Sequence, residues 1–287
     1  MDILFHYCSV TTFNSIVENR SIHLSSLSLS NDSLEGKLAV NTLKRLAQRD
    51  GLDGTMRERL ETYLEGYEAI IDGLGFCLSE EGDLLSQWRG YASDATGISI
   101  GFSTEYLKWL AGGSLQTDRP GFTLEKVKYD LPGHEAEVEP TYKAVKKLVD
   151  QGVLGFPMSR LIIDNRTEDE IQEEKKNYDR LFSNLSMTLL MMFPKLYLLK
   201  SPAFKEEREW RLLSYLFNQD SSTCSYRASS DRLIPYRSYD FKELDRQPIR
   251  KIILGPKHIT PVRVIADYLK RKGYGVVEVV KSEASYR

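Results

Sequence analysis

Strand-like segments stand at both ends of this chain, and a long helical block separates them. The N-terminal segments "ILFHY" and "SIHLSSLSL" enclose a helical stretch, and "EREWRLLSYL", "RLIPYR", "IRKIILG" and "GVVEVV" follow one another in the last third. The two short apolar runs "GLGFCLS" and "TGISIGF" are bounded by glycine, and we take them as neighbouring core strands. Because strands from both ends must pair to bury their apolar faces, the pattern predicts an α+β fold with a mixed central sheet.

Two stretches interrupt the strand pattern with helical periodicity. Residues 33–73 and 137–193 carry apolar residues three and four positions apart. We interpret both as helical insertions within a single α+β domain that spans residues 1–287.

Two pairs of polar residues, each three positions apart, have the spacing of side chains that cap the N-terminus of a helix. In "NDSLEG", Asp32 precedes Glu35 by three residues, and Thr167 precedes Glu170 in the same way. Side chains at this spacing satisfy the free backbone N–H groups of the first helical turn. We therefore predict that Asp32 and Glu35 cap a helix and have no catalytic role.

Composition limits the partners and the compartment of the chain. Its net charge of -2 gives no global field that would attract nucleic acid or acidic lipid. The three cysteines, Cys8, Cys77 and Cys224, form no C-x-x-C pair and fit a reducing compartment. The apolar run "LSMTLLMMF" is shorter than the roughly 20 residues that span a bilayer. We therefore expect a cytoplasmic protein without a membrane partner.

The first candidate site residue is a histidine inside an apolar strand. His6 alternates with Leu4 and Cys8 on one face, whereas Phe5 and Tyr7 point to the other. His6 is either a satisfied core histidine or one side of a ligand-binding cleft, and nothing nearby specifies a metal or a nucleophile.

The second candidate is the aromatic and polar segment "SEEGDLLSQWRGYASDATG". Trp88 and Tyr91 lie three residues apart beside Arg89 and Ser86, in a stretch too rich in glycine and serine for a long helix. Loop aromatics next to a charge can stack on a planar ligand, although half-buried packing aromatics are commoner.

The third candidate is the acidic segment "KSPAFKEEREWRLLS". If residues 206–214 form a strand, Glu207, Glu209 and Arg211 share one face. Such a row of charges is either the solvated face of a strand or a pair of carboxylates in a cleft. Phosphate-binding G-x-x-x-x-G-K-[ST] loops, H-E-x-x-H pairs and G-x-G-x-x-G loops after a strand are absent from the sequence.

The order of these segments resembles a large bacterial family known only as a domain of unknown function. Members of that family open with a Y-H-Y-T-like strand, continue through an N-D-P-x-E-G-like turn and a W-x-x-Y-A block, and carry a late E-x-E-W-R segment. Here the corresponding segments are "LFHYCSV", "NDSLEG", "WRGYA" and "EREWR". Cys8 and Ser33 depart from the usual threonine and proline, and Gly90 lies inside the tryptophan–tyrosine stretch. The opening strand with its histidine and the glutamate on a late strand are also similar in layout to ADP-ribosyltransferases, including DNA-modifying bacterial toxins.

The second resemblance implies an enzyme that uses NAD as its substrate. A buried carboxylate, here Glu209 with Glu207 beside it, would stabilise the positive charge that develops on the ribose when nicotinamide leaves. His6 would hydrogen-bond the adenosine-side ribose and should then share a concavity with Glu209. An aromatic ring from Trp88 or Tyr91 would stack on nicotinamide.

The remaining groups implied by this resemblance are cofactor-binding ones. Tyr7 stands next to His6, and the pyrophosphate would be met by a cation, for which the candidates are Arg89, Arg211 and Lys200. The acceptor of ADP-ribose would be nucleic acid or protein, in a toxin or an antiviral defence system.

Two alternatives remain open. The same cleft would bind a nucleotide or a protein without turnover, as a sensor module of a bacterial defence system. Alternatively, Glu207 and Glu209 would hold a divalent ion for phosphodiester cleavage by a metal-dependent nuclease.

Overall fold

The computed structural model describes residues 2–30, 36–68, 70–117, 120–155, 166–217, 223–229 and 231–286. The predicted caps Asp32 and Glu35 lie outside these ranges. The helices and strands are, in chain order, β1 (Ile3–Cys8), α1 (Val10–Asn19), β2 (Ser21–Ser26), α2 (Lys37–Arg49), α3 (Gly54–Glu68), β3 (Ile71–Ser79), α4 (Leu85–Tyr91), β4 (Ile98–Ser103), α5 (Thr104–Ser114), β5 (Thr123–Lys126), α6 (Leu131–Asp150), α7 (Glu168–Leu190), α8 (Phe193–Leu196), β6 (Glu209–Phe217), β7 (Ser225–Ala228), β8 (Leu233–Asp240), β9 (Ile249–Leu254), α9 (Val262–Arg271) and β10 (Glu278–Lys281).

The α+β prediction with a mixed sheet is confirmed. The continuous strand order is β10-β9-β4-β1-β3-β2-β8-β7, and β6 branches from β3 and pairs with β5. The pairs β1–β4, β2–β8 and β4–β9 are antiparallel, whereas β9 and β10 are parallel. The prediction that "GLGFCLS" and "TGISIGF" are neighbours is wrong, because β1 lies between them and pairs with both strands.

The chain divides into two compact units. The first comprises Met1–Ser30, Asp72–Val127 and Ala203–Arg287, and the second Asn31–Ile71 and Lys128–Pro202. The interpretation of the chain as one domain with two helical insertions stays a prediction.

The second unit is helical in its described part. Helix α2 packs against α3, α6 and α8, and α6 packs against α7. The capping box predicted for α7 is confirmed: the Glu170 backbone N–H donates to the Thr167 hydroxyl over 3.3 Å, and the Thr167 backbone N–H donates to the Glu170 carboxylate over 2.7 Å. Across the described residues of the chain, no helix is long and apolar enough to cross a membrane.

The first unit is built on one large apolar core. Leu4 and Cys8 of β1 pack with residues of β2, β3, β4 and β9 and with Phe13 of α1, all buried. Register places His6 opposite Ile100, which is also part of this core. A smaller apolar cluster on the other face of β1 contains Tyr7 and Trp88. The two faces of β1 therefore serve two different clusters.

Candidate functional site

His6 lies on the main-core face of β1 and is half-buried. Its ring stacks on Phe76 with 4.0 Å between the ring centroids, and its Nδ1 lies 2.8 Å from the carbonyl oxygen of Cys77. Burial lowers the pKa of the His6 imidazole to about 4, against a smaller opposing effect of the Cys77 carbonyl. The ring is therefore neutral at pH 7, which agrees with the core-histidine interpretation.

Tyr7, on the other face, fixes the turn that leads into α4. Its hydroxyl donates to the carbonyl of Glu81 over 2.8 Å and accepts from the backbone N–H of Leu84 over 2.9 Å. Burial is the main cause that raises the pKa of this phenol. Leu84 is the residue that precedes α4, so β1 sets where this helix begins.

Asp83 holds the other side of the same turn. It accepts from the indole N–H of Trp88 over 2.6 Å and from the backbone N–H of Glu283 over 2.7 Å, and also from the Ser282 hydroxyl. Burial alone would raise the pKa of Asp83, but these hydrogen bonds outweigh it and keep the pKa below its ordinary value. The carboxylate therefore fastens α4 to the segment after β10.

The segment with Trp88 and Tyr91 forms a short helix and not a loop. This corrects the interpretation of Trp88 as an exposed aromatic residue that stacks on a ligand. Trp88 is 0% exposed and packs edge-to-face on Tyr7 with 4.9 Å between ring centroids, so no face of its ring is open to a ligand. Tyr91 is 44% exposed, and Arg89 is exposed as well. Trp88 and Tyr91 lie about one helical turn apart. Trp88 packs inside the protein, whereas Tyr91 is accessible from outside.

Glu207 and Glu209 do not share a strand, which corrects the expectation for residues 206–214. A 3₁₀ turn covers Pro202–Glu207, and β6 begins only at Glu209. Between them Arg208 has a φ of 43°, in the left-handed region that is costly for a residue with a side chain. The two-residue alternation is broken at this point, so only Glu209 and Arg211 share a face.

Glu207 is buried at the end of the 3₁₀ turn. Its carboxylate accepts a hydrogen bond from the Tyr91 hydroxyl over 3.1 Å, and its carbonyl accepts from the Ser79 hydroxyl over 2.6 Å. Ser79 also accepts from the backbone N–H of Glu81 over 3.0 Å. A carboxylate is thus brought beside the exposed ring of Tyr91.

Glu209 forms a two-pronged ion pair with Arg211. The Nε of Arg211 donates to Oε1 of Glu209 over 2.7 Å, and its Nη2 donates to Oε2 over 3.0 Å. Both side chains are buried, with 1% of Arg211 and 6% of Glu209 exposed. The two parallel hydrogen bonds from the guanidinium hold the carboxylate in one orientation.

His6 and Glu209 point differently with respect to the main core. Trp210 and Leu212 of β6 pack on this core, so the alternating Glu209 and Arg211 point away from it, whereas His6 points towards it. Because β6 branches from β3 outside the continuous strand order, these directions do not fix whether the two side chains meet. Their shared concavity stays a prediction.

The sequence pattern does not predict two residues of this site. Ser79 ends β3 and Asp83 precedes α4, and each was visible only as a polar residue at an element boundary. Lys200, by contrast, was singled out as a cation for pyrophosphate but belongs to the second unit. In the part of the chain that the structure describes, no group of three or more His, Cys, Asp or Glu side chains is placed to hold a metal ion.

Comparison with known proteins bears on the middle of the chain. No curated protein and no solved structure matches it. One family model does match the chain, over residues 87–212, a range that includes Glu207, Glu209 and Arg211 but not His6. The similarity to ADP-ribosyltransferases and the details of the motifs stay predictions. The predicted relation to a domain of unknown function is confirmed for residues 87–212, which match the family model described as "Protein of unknown function (DUF2971)".

Proposed function

We propose that the first unit cleaves NAD in the manner of an ADP-ribosyltransferase, with Glu209 and Glu207 as its carboxylates. The observation that carries the proposal is the pair of buried carboxylates on either side of the left-handed Arg208, one oriented by Arg211 and the other bonded to Tyr91. Strained backbone persists where the surroundings hold it in place, and such positions cluster at active sites.

The reaction breaks the bond between ribose C1′ and the nicotinamide nitrogen. Nicotinamide leaves with the bonding electron pair, and the ribose acquires oxocarbenium character. A fixed carboxylate stabilises this positive charge more in the transition state than in bound NAD. A hydroxyl or amine of the acceptor then bonds to C1′ and gives up its proton. Because Arg211 already holds Glu209 in one orientation, that carboxylate needs little reorganisation during the reaction.

The other predicted ligand groups divide by accessibility. Tyr91 is 44% exposed and would stack on nicotinamide, and Arg89 on the same helix is exposed and would meet the pyrophosphate. Tyr7 and Trp88 hold α4 in place. His6 is kept as the group for the adenosine-side ribose, in its neutral form. The acceptor is nucleic acid or protein, in a toxin or antiviral defence setting, and a reducing cytoplasm suits the free Cys8, Cys77 and Cys224.

The test is nicotinamide release from labelled NAD by the purified chain, with DNA and protein acceptors supplied. Glu207→Gln and Glu209→Gln preserve size and remove charge, so each should slow release by roughly 100-fold or more. Glu206→Gln is the matched control, because Glu206 is the exposed neighbour of Glu207 in the same 3₁₀ turn. Thermal unfolding of each variant separates lost chemistry from lost structure.

The outcomes distinguish this proposal from its runner-up. The Glu209–Arg211 pair already satisfies both carboxylate oxygens, which favours a nucleotide- or protein-binding module without turnover. NAD that is bound but not consumed supports the binding module. A wild-type protein that neither binds nor consumes NAD overturns both NAD-based functions. No contact among the described residues favours the metal-dependent nuclease.

A further inference from the structure

A cavity lies in the first unit, formed by residues other than those of the carboxylate site. It has a volume of about 780 Å³, within the usual range for small-molecule sites. Its walls are the C-terminal end of α5, the residues Gln116, Thr117 and Phe122 before β5, and the end of β8. The residues that carry the argument are Trp109, Gly113, Phe122, Tyr239, Asp240 and Lys242.

The walls of this cavity are aromatic and fixed. Tyr239 packs edge-to-face on Phe122 with 4.6 Å between ring centroids, and its hydroxyl donates to the carbonyl of Pro120 over 2.7 Å. The backbone N–H of Phe122 donates to the hydroxyl of Ser114, at the end of α5, over 3.0 Å. These bonds hold the wall residues in place before any ligand arrives, which reduces the entropic cost of binding.

Trp109 carries an indole N–H donor that lines the cavity. Of the three tryptophans, Trp88 donates its indole N–H to Asp83 and Trp210 donates to Glu80, each over less than 3 Å. Within the described residues, the half-buried Trp109 has no acceptor for its indole N–H. This indole N–H is therefore available as a donor to a ligand acceptor.

Charges of both signs stand at the edge of the cavity. Asp240 and Lys242 are exposed, and neither has an ion-pair partner within the described residues. The backbone at Lys242 is clamped, since its N–H donates to the Tyr106 hydroxyl over 2.9 Å and its carbonyl accepts from that hydroxyl over 2.6 Å. An ammonium group on a fixed backbone position is therefore available for an anionic group, and a carboxylate for an N–H donor.

We propose that this cavity binds a planar heteroaromatic ligand with an anionic substituent, of about the size of a nucleoside monophosphate. The aromatic walls take the ring, Trp109 donates to an acceptor on the ring edge, and Asp240 accepts from a ring N–H or amino group. Lys242 pairs with the anion. The proposal is independent of NAD cleavage, because it uses no residue of the carboxylate site.

Calorimetric titration with AMP, adenosine and ribose 5-phosphate tests the proposal. AMP should bind most tightly, since it alone carries both ring and anion. Lys242→Ala should weaken AMP about 10-fold, the equivalent of one charged contact, and leave adenosine unchanged. Trp109→Phe keeps an aromatic wall but loses the donor, so it should weaken both AMP and adenosine.

Gly113→Trp and one control variant complete the experiment. An added Cβ at Gly113 meets nothing within 4 Å, so a large side chain there is accommodated and should abolish binding by filling the cavity. Lys108→Ala, an exposed lysine of α5 outside the cavity, should bind AMP normally.

Three results overturn the proposal. The first is AMP that fails to bind, and the second is AMP that binds no better than ribose 5-phosphate. The third is AMP binding that Lys242→Ala, Trp109→Phe and Gly113→Trp leave unchanged, which would place the nucleotide outside this cavity. Circular dichroism of each variant confirms that lost binding is not lost folding.

Discussion

At the scale of single residues, the sequence pattern located the interesting side chains better than it identified their roles. The strand alternation correctly separated His6 from Tyr7, because two-residue periodicity is a local property. Whether Trp88 packs or binds depends on Asp83 and Tyr7, and these contacts were not readable from its neighbours in sequence. Accessibility is set by tertiary contacts, so sequence could nominate Trp88 and Tyr91 without distinguishing them.

The lowered pKa of the half-buried His6 leads us to predict that the protein loses stability at acidic pH. Its pKa in the folded protein is about 4, below the unfolded value of 6.5, so the unfolded chain binds more protons between these values. The contribution of neutral His6 is fully present above about pH 6.5 and decreases as the pH falls towards 4. His6→Asn keeps a polar group for the Cys77 carbonyl and removes the titration, so its free energy of unfolding should fall less steeply over this interval. Urea unfolding of both proteins at several pH values measures the difference, and parallel curves would contradict the assignment.

At the scale of elements, the sequence predicts the start of a helix when the capping groups lie within one turn. It does not predict the first residue of a strand when distant residues determine it. The Thr167 and Glu170 capping box of α7 was predicted because both groups act within one turn. The start of β6 was placed too early, since the left-handed backbone at Arg208 has no signature in "KEEREW". The carbonyl of Arg208 accepts from the backbone N–H of Glu80, and that of Glu209 from the backbone N–H of Val127, so distant residues set the start of the strand.

The hydrogen bonds of Tyr7 lead us to predict that this residue holds helix α4 in place. Tyr7→Phe removes the acceptor for the Leu84 N–H and the donor to the Glu81 carbonyl while preserving the ring against Trp88. Loss of these buried hydrogen bonds should cost about 1–3 kcal/mol of unfolding free energy. Hydrogen exchange should speed up for the amides of Leu85–Tyr91 more than for those of α5. Tyr226→Phe, at an exposed tyrosine, is the control, and uniform exchange throughout the unit would show that Tyr7 does not specifically hold α4.

At the scale of the whole molecule, the fold class was predictable and the strand order was not. Apolar runs at both chain ends required a sheet that joins them, which the pairing of β1 with β4 and of β4 with β9 achieves. The insertion of β1 between β3 and β4, and the branching of β6 from β3, depend on which strands meet over long sequence separations. Such choices arise from global packing, and no short motif encodes them.

The branch strand β6 carries the buried Glu209–Arg211 pair, which gives a prediction that separates structure from chemistry. Removing one partner of a buried ion pair typically costs about 3–5 kcal/mol, because the remaining charge loses its compensation. Glu209→Gln and Arg211→Gln should each destabilise the protein on this scale. The double variant should cost clearly less than the sum, with a coupling of at least about 1 kcal/mol, since residues in contact are not additive.

The exposed pair Lys251–Glu278, 3.1 Å apart between neighbouring strands, is the matched control and should couple by less than about 1 kcal/mol. Urea unfolding of the four proteins in each cycle gives both coupling energies. If the Glu209 and Arg211 variants were additive, the two side chains would not stabilise the fold through each other. If they couple as expected, activity must be compared at temperatures where every variant is folded, because only then does a slower release of nicotinamide report on the charge of Glu209.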